Sequence, residues 1–273
     1  GPNVVAEDII KPDVTAPGVN ILAAHTPMPN AGAAGGPPGE YFQAISGTSM
    51  ASPHVAGVFA LIAQANPDWS PAMVKSAVMT TAHQDVRKED GTTAAEPFDF
   101  GAGHAAPGGK ANKGSVFQPG LVYDAGFLDY LGFLCDADPS VFTDPTATCD
   151  ALAASGVATE ATNLNYPSIG IAEVAGSETI VRTVTSVAKE GGWRNYSVSV
   201  DAPDGYDVTV TPSSFRIKRG QTMTFEVTVT NVSAPVGEWR YGSLTWQDMT
   251  VNYSVRSPIA VKGSLLCSWT SRH

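Results

Sequence analysis

Two hydrophobic periods divide this chain. Beyond Asn163, apolar and polar residues alternate with period two over residues 179–184, 196–200, 208–210, 224–229 and 242–246, with Pro, Gly and Asp turns between them. Several short strands at this spacing predict a β-sandwich, with Phe225, Val227 and Val229 pointing inward. Ahead of that region the period is helical. Residues 46–63 run from a Gly/Ser turn into an almost wholly apolar segment, which predicts a buried helix. Pro53 is tolerated only in a first turn, so that helix starts near Thr48 or Ser49. A second helix is capped by Ser70, carries Pro71 at its first position and continues to Ala82 with Met73, Val74, Ala77 and Val78 on one face.

Between these landmarks the pattern is broken by Pro and Gly. Residues 11–22 alternate prolines with β-branched residues, predicting short extended pieces and a buried sheet edge. Residues 27–39, with four prolines and four glycines, read as a surface loop leading into a strand over 41–45. Residues 101–120 are again Gly- and Pro-rich, followed by a short strand at 121–124 and a short helix over 127–135. The change of period places the boundary between about 126 and 165. The expected units are residues 1–125, a linker 126–162, a β-sandwich 163–262 and a tail 263–273.

Composition narrows the functional classes. Of the 273 residues 43% are hydrophobic and 15% charged, and no apolar run approaches the ~20 residues of a membrane helix. The net charge is −10, and all of the excess lies in residues 1–150, which hold six basic and sixteen acidic side chains against ten and ten in the remainder. An acidic chain lacks the basic surface that nucleic acid requires. Cys135, Cys149 and Cys267 are too far apart for a paired Cys-x-x-Cys zinc site. The first two, spanning Pro139 and Pro145, could close as a disulfide in an oxidising compartment. The opening Gly1-Pro2-Asn3-Val4-Val5 has no initiating Met and no signal core, so the chain is expected to begin inside something larger.

Candidate chemistry centres on Ser49. A serine at the start of a helix after a Gly-containing turn is ordinarily an N-cap. The same placement exposes its hydroxyl beside backbone amides that have no intrahelical partner, a setting that suits acyl transfer. The string Gly47-Thr48-Ser49-Met50-Ala51-Ser52-Pro53-His54-Val55-Ala56-Gly57 resembles the serine-centred signature of the subtilisin-like serine peptidases. The segment 11–18, Gly101-Ala102-Gly103-His104 and residues 119–124 resemble flanking parts of the cucumisin-like branch, and Leu164-Asn165-Tyr166-Pro167-Ser168 with Arg182-Thr183-Val184-Thr185 resembles the fibronectin type III-like domain that follows there. The resemblance implies an α/β fold, the carboxyl-terminal part of a parallel-sheet peptidase domain joined to an all-β sandwich.

It also implies a secreted endopeptidase that acts on peptide or protein substrates without a cofactor, with Ser49 as nucleophile and its own amide as half of an oxyanion hole. The family's catalytic Asp, His and oxyanion-hole Asn all precede the serine, and no segment here matches them, so an upstream segment must supply them and this stretch alone is expected to be nearly inactive. His54 is no substitute base, since five helical residues rotate it about 140° from Ser49. Asp13, Asp124, Asp136, Asp138, Asp144 and Asp150 read as a solvated acidic face, with none of the spacing of a calcium loop. Asn195, Asn231 and Asn252 head Asn-x-Ser sequons. The aromatic residues of the second half read as core, with Trp193 and Trp239 near turns. The rival reading is a non-catalytic adhesion chain that uses the sandwich for protein contact.

Overall fold

The computed structural model describes residues 1–28, 38–108, 114–189, 191–250 and 252–265. In chain order its elements are β1 (Ile21–Ala24), β2 (Phe42–Ile45), α1 (Thr48–Ala65), α2 (Pro71–Thr80), α3 (Pro97–Phe100), β3 (Leu121–Tyr123), α4 (Phe127–Ala137), α5 (Pro145–Ala154), β4 (Ile169–Val174), β5 (Ser177–Ser186), β6 (Trp193–Asp201), β7 (Tyr206–Thr211), β8 (Ser214–Lys218), β9 (Thr222–Asn231), β10 (Trp239–Asp248) and β11 (Ser254–Gly263). The chain is thus mixed in its first half and β-rich in its second.

The period-two region folds as two facing sheets. One has the order β4-β11-β10-β6-β8, the other β3-β5-β9-β7, and all pairs are antiparallel except β4 with β11. Alternation sends Phe225, Val227 and Val229 into the space between the sheets, where they join Ile180, Val184, Phe215, Leu244 and Trp246. Trp246 is fully enclosed, with Phe215 and Phe225 edge-on at 4.7 and 5.1 Å between ring centroids. Truncating such an aromatic costs about 3–5 kcal/mol. The sandwich also takes in β3, which precedes the change of period and forms an edge through the register Leu121↔Ser186 to Tyr123↔Val184.

Residues 126–162 hold a helical hairpin, its first helix beginning where the sequence predicts the short helix over 127–135. Asp129 accepts from the Gly126 amide at 2.6 Å to start α4, and Asp144 accepts from the Ala147 amide at 3.0 Å to start α5, with Pro145 at its first position. Cys135 and Cys149 are bridged, tying α4 to α5. Phe133 and Ala137 of α4 pack against the small core of Ala125, Ala161, Leu164 and Tyr166, while Phe127 and Leu128 stay exposed.

Two expectations about the first half are corrected. Helix α1 is not buried: of its eighteen residues only Ile62 is. One face packs on α2 and the 12–19 loop, and among the described residues nothing covers the other, which carries Ala56, Ala60 and Leu61. The pieces at 11–22 are likewise no buried edge. They end in an exposed two-stranded hairpin of β1 with β2, where Leu22 and Phe42 face outward because no second layer lies over them. Parallel pairing in this half is limited, among the described residues, to the single Thr15–His104 bridge. The 27–39 loop lies mostly outside the described residues, as does most of the 263–273 tail with Cys267; Gly263 itself closes β11.

The two halves are welded at several places. Phe98 of α3 stands edge-on to Trp239 and Tyr241 of β10 at 4.9 and 5.3 Å. The Tyr123 amide of β3 donates to Ser76 Oγ of α2 at 2.9 Å. The Asp8 carboxylate accepts from the Ala172 amide of β4 at 2.7 Å, and the Asp8 carbonyl crowds Gly170 so closely that a Cβ there would lie 2.2 Å from it. Only glycine permits that approach.

Candidate active site

The turn that presents Ser49 is held by a glycine pair. The Gly47 amide donates to the Gly18 carbonyl at 2.8 Å, and a Cβ on Gly18 would stand 2.9 Å from the Gly47 carbonyl and 3.3 Å from Ala51 Cβ. Beside it the Asn20 amide donates to Ser46 Oγ at 2.9 Å. These contacts clamp the 11–20 segment to the residues that enter α1. Within α1 the amides of Met50 and Ala51 both return to the Gly47 carbonyl. Thr48 and Ser49 come before them, so their N–H groups have no acceptor inside the helix. Ser49 is exposed in this first turn, where the positive end of the helix dipole lies.

A cavity of about 540 Å³ opens beside this turn, lined by Pro12, Ala16, Gly18, Thr48, Ser52 and Val55 among others. A second of about 220 Å³ continues along α1 past Ser52, Val55 and Phe59 to Asp13 and Lys75. Residues 48, 52, 55 and 59 share one face of the helix; Ser49 sits about 100° round from Thr48. The hydroxyl therefore faces the flank left open by the uncovered side of α1, and not either cavity.

Of the acidic candidates, Asp13 is the one the fold makes a hub. It pairs with Lys11 at 2.9 Å, lies 3.8 Å from Lys75, and accepts from the Tyr166 hydroxyl at 2.5 Å. Lys75 Nζ is 3.1 Å from the same hydroxyl and 5.0 Å from the ring centroid. Burial, with the Asp13 carboxylate beside it, holds the Tyr166 phenol protonated far above its ordinary range, and burial pushes Lys75 down. The remaining acids, Asp124, Asp136, Asp138, Asp144 and Asp150, are all exposed, and four of them also serve as helix starts and ties: Asp124 accepts from Ser70 Oγ at 2.5 Å, Asp136 from the Ala161 amide at 2.8 Å, and Asp138 and Asp144 cap. Their spacing in sequence carries the signal, since each cap stands two or three residues ahead of the amide it serves.

His54 turns its Nδ1 to the Met50 carbonyl at 2.8 Å, along its own helix. His104 Nδ1 lies 3.1 Å from Thr15 Oγ1, and its backbone pairs with His83. None of these imidazoles is brought to Ser49. Among the described residues there is no group of three or more His, Cys, Asp or Glu arranged to hold a metal ion, and no helix is long and apolar enough to cross a membrane.

Comparison with known proteins matches this chain in two pieces. The subtilase family model covers residues 1–103, and the fibronectin type-III domain model covers residues 163–261. Among curated proteins the chain is 40% identical to the "CO(2)-response secreted protease" of Arabidopsis thaliana over 96% of its own length and 34% of that protein's. It is 40% identical to subtilisin-like protease SBT5.3 of the same plant, again over 96% and 34%, and 38% identical to SBT1.7 over 99% and 35%. The chain therefore spans about a third of the length of the curated relatives it matches.

Proposed function

Since the chain belongs to the subtilisin-like proteases, carrying a subtilase segment joined to a fibronectin type-III domain, we propose that the whole protein is a secreted serine endopeptidase in which Ser49 is the nucleophile. The observation that carries this reading is the placement of Ser49: an exposed hydroxyl in the first turn of an apolar helix, inside the eleven-residue signature, with its own amide outside the helical ladder. Ser49 Oγ attacks the scissile carbonyl, its proton passing to a histidine. The carbonyl oxygen gains the charge and is met by the Ser49 amide and an asparagine donor, and water then releases the acyl group.

The histidine, its aspartate and the asparagine come from an upstream segment of the same protein. That segment also brings the parallel sheet that covers the Ala56, Ala60 and Leu61 face of α1, so that Ser49 lies at the seam. We assign residues 1–125 to the peptidase part and 163–262 to the sandwich, with β3 lent from the first to the second. The Cys135–Cys149 bridge supports an extracellular setting, as does a relative named for secretion.

The test is covalent labelling of the full-length protein with a fluorophosphonate. Labelling is expected with the native sequence and none with Ser49→Ala, with peptidase activity falling by about 10⁶-fold. Undiminished labelling of Ser49→Ala overturns the assignment.

A further inference from the structure

Three sequons occur in the sandwich, and the fold treats their asparagines differently. Asn231 is consumed by its own turn: Nδ2 donates to the Ala234 carbonyl at 3.2 Å while Oδ1 accepts from the Ala234 amide at 2.9 Å. Its Nδ2 also presses on Gly263, where a Cβ would lie 2.6 Å away. Asn252 donates to Thr250 Oγ1 at 2.6 Å. Asn195 is exposed on β6, and among the described residues its side-chain amide has no hydrogen-bond partner.

The surroundings of Asn195 form a platform. Trp193, Asn195 and Ser197 alternate onto the outer face of β6, while Tyr196 turns into the core. Trp193 stands two residues before the asparagine, roughly 7 Å along the strand, and keeps 49% of its surface exposed. Arg216 and Lys218 of β8, in register with Asn195 and Trp193, lie over its ring at 4.7 and 5.6 Å. They fix the indole from the edge of the sheet and leave the rest of its surface open. An exposed indole held in place beside a free amide offers a flat apolar surface to whatever is attached to that amide.

We propose that Asn195 is an N-glycosylation site whose first N-acetylglucosamine stacks on Trp193. Asn195 Nδ2 forms the bond to C1 of the reducing-end sugar of a polyprenyl-pyrophosphate-linked oligosaccharide. The C1–O bond to the pyrophosphate breaks, the lipid pyrophosphate leaves with that electron pair, and the host transferase takes the Nδ2 proton. Ser197 supplies the hydroxyl of the sequon. The apolar face of the pyranose then covers indole that is otherwise in water, replacing an exposed hydrophobic surface with a hydrated one. Asn231 stays bare, because its Nδ2 is packed against Gly263 and the Ala234 carbonyl, which leaves no room for a sugar.

This rests on the extracellular part of the proposed function and not on catalysis. The full-length protein is therefore expressed in insect cells behind an added signal peptide, so that routing is supplied. Glycopeptide mass spectrometry of the secreted protein is expected to find Asn195 occupied and Asn231 free, with Asn195→Gln and Ser197→Ala each abolishing the Asn195 glycan. After trimming to the first sugar, its acetyl and ring protons are expected to shift upfield by NMR in the native sequence, and to return to free-sugar positions in Trp193→Leu. The upfield shift in the unmutated protein stands without any variant. Secreted protein with Asn195 unmodified, retention of the glycan in Ser197→Ala, or free-sugar shifts beside an intact Trp193 overturns the proposal.

Discussion

Tyr166 donates its phenolic proton to Asp13 across 153 residues of chain, at 2.5 Å. The bond joins the first residues of the subtilase segment to the threshold of the sandwich, and Lys75 completes it from α2. Removing the hydroxyl leaves a partly buried carboxylate one donor short. Tyr166→Phe is expected to lower stability by about 1.5–3 kcal/mol, read from the urea midpoint at unchanged slope. In a double-mutant cycle with Asp13→Asn the two losses are expected to be strongly non-additive; simple additivity would show that the two side chains do not cooperate.

The junction at Asp8 carries a pH dependence. Burial raises the carboxyl of Asp8 first, with the negative charges of Asp136, Glu173 and Glu7 adding to it against the Ala172 hydrogen bond. Burial likewise raises Glu178, helped by Asp8 and Glu160. A carboxyl whose folded pKa is raised contributes stability that is complete below its unfolded value and is lost as pH rises through the folded one. The sandwich junction is therefore expected to strengthen as pH falls through the raised folded values of these two carboxyls toward their ordinary 3.8 and 4.5. Asp90, held at about 2 by Thr93 and Thr92, works the opposite way and is felt only below its ordinary 3.8. Melting temperature against pH should flatten on its upper limb in Asp8→Asn with Glu178→Gln, which keeps the Ala172 acceptor. An unchanged slope would remove these groups from the account.

Within the sandwich, Asp248 is buried and meets Arg194 at 3.1 Å, while Arg194 also covers the Tyr253 ring at 4.9 Å. Asp248→Ala is expected to cost about 3–5 kcal/mol, because a nearly buried guanidinium loses its counter-charge. Changing both to apolar residues of similar volume should recover most of that loss. Chemical denaturation of the two variants side by side decides it.

Reduction of Cys135–Cys149 opens a loop of about fourteen residues, for which chain entropy predicts about 3 kcal/mol. The loss is expected to be local. Hydrogen exchange in Cys135→Ser with Cys149→Ser should rise across α4 and α5 and leave the amides of β5 and β9 protected; a rise throughout the sandwich would mean that the hairpin supports it.

Much of this architecture was legible in the chain. The strands β5, β6, β7, β9 and β10 follow from alternation, because each has one face in the core and one in water. The Ser70 cap of α2 follows from Pro71 at its first position; α1 does start at Thr48, but Pro53 is its sixth residue, inside the helix and past the first turn that the proline argument requires. Strands β4 and β11 escaped because both of their faces are buried, by the opposite sheet and by the first half, so Ile169 to Val174 and Val255 to Val261 show no clean period. Strand β3 is too short to have a period at all, and its membership depends on Ser186, sixty-odd residues away in sequence. At the site, the signature placed Ser49 in a first turn, and that is where it stands. The clamp of Gly18 on Gly47 and the reach of Tyr166 to Asp13 were invisible, since neither contact leaves a local mark on the residues between them.

The excursion of the chain between Tyr123 and Ile169 has a practical consequence. One strand of the four-stranded sheet is laid down before the disulfide hairpin and the others after it. A polypeptide begun at residue 163, where the matched fibronectin type-III region starts, would carry β5 with its outer row of amides and carbonyls unpaired, an invitation to intermolecular strand addition. The smallest soluble unit of this sandwich is consequently longer than its repeat-family outline, and includes the segment from Gly120 onward.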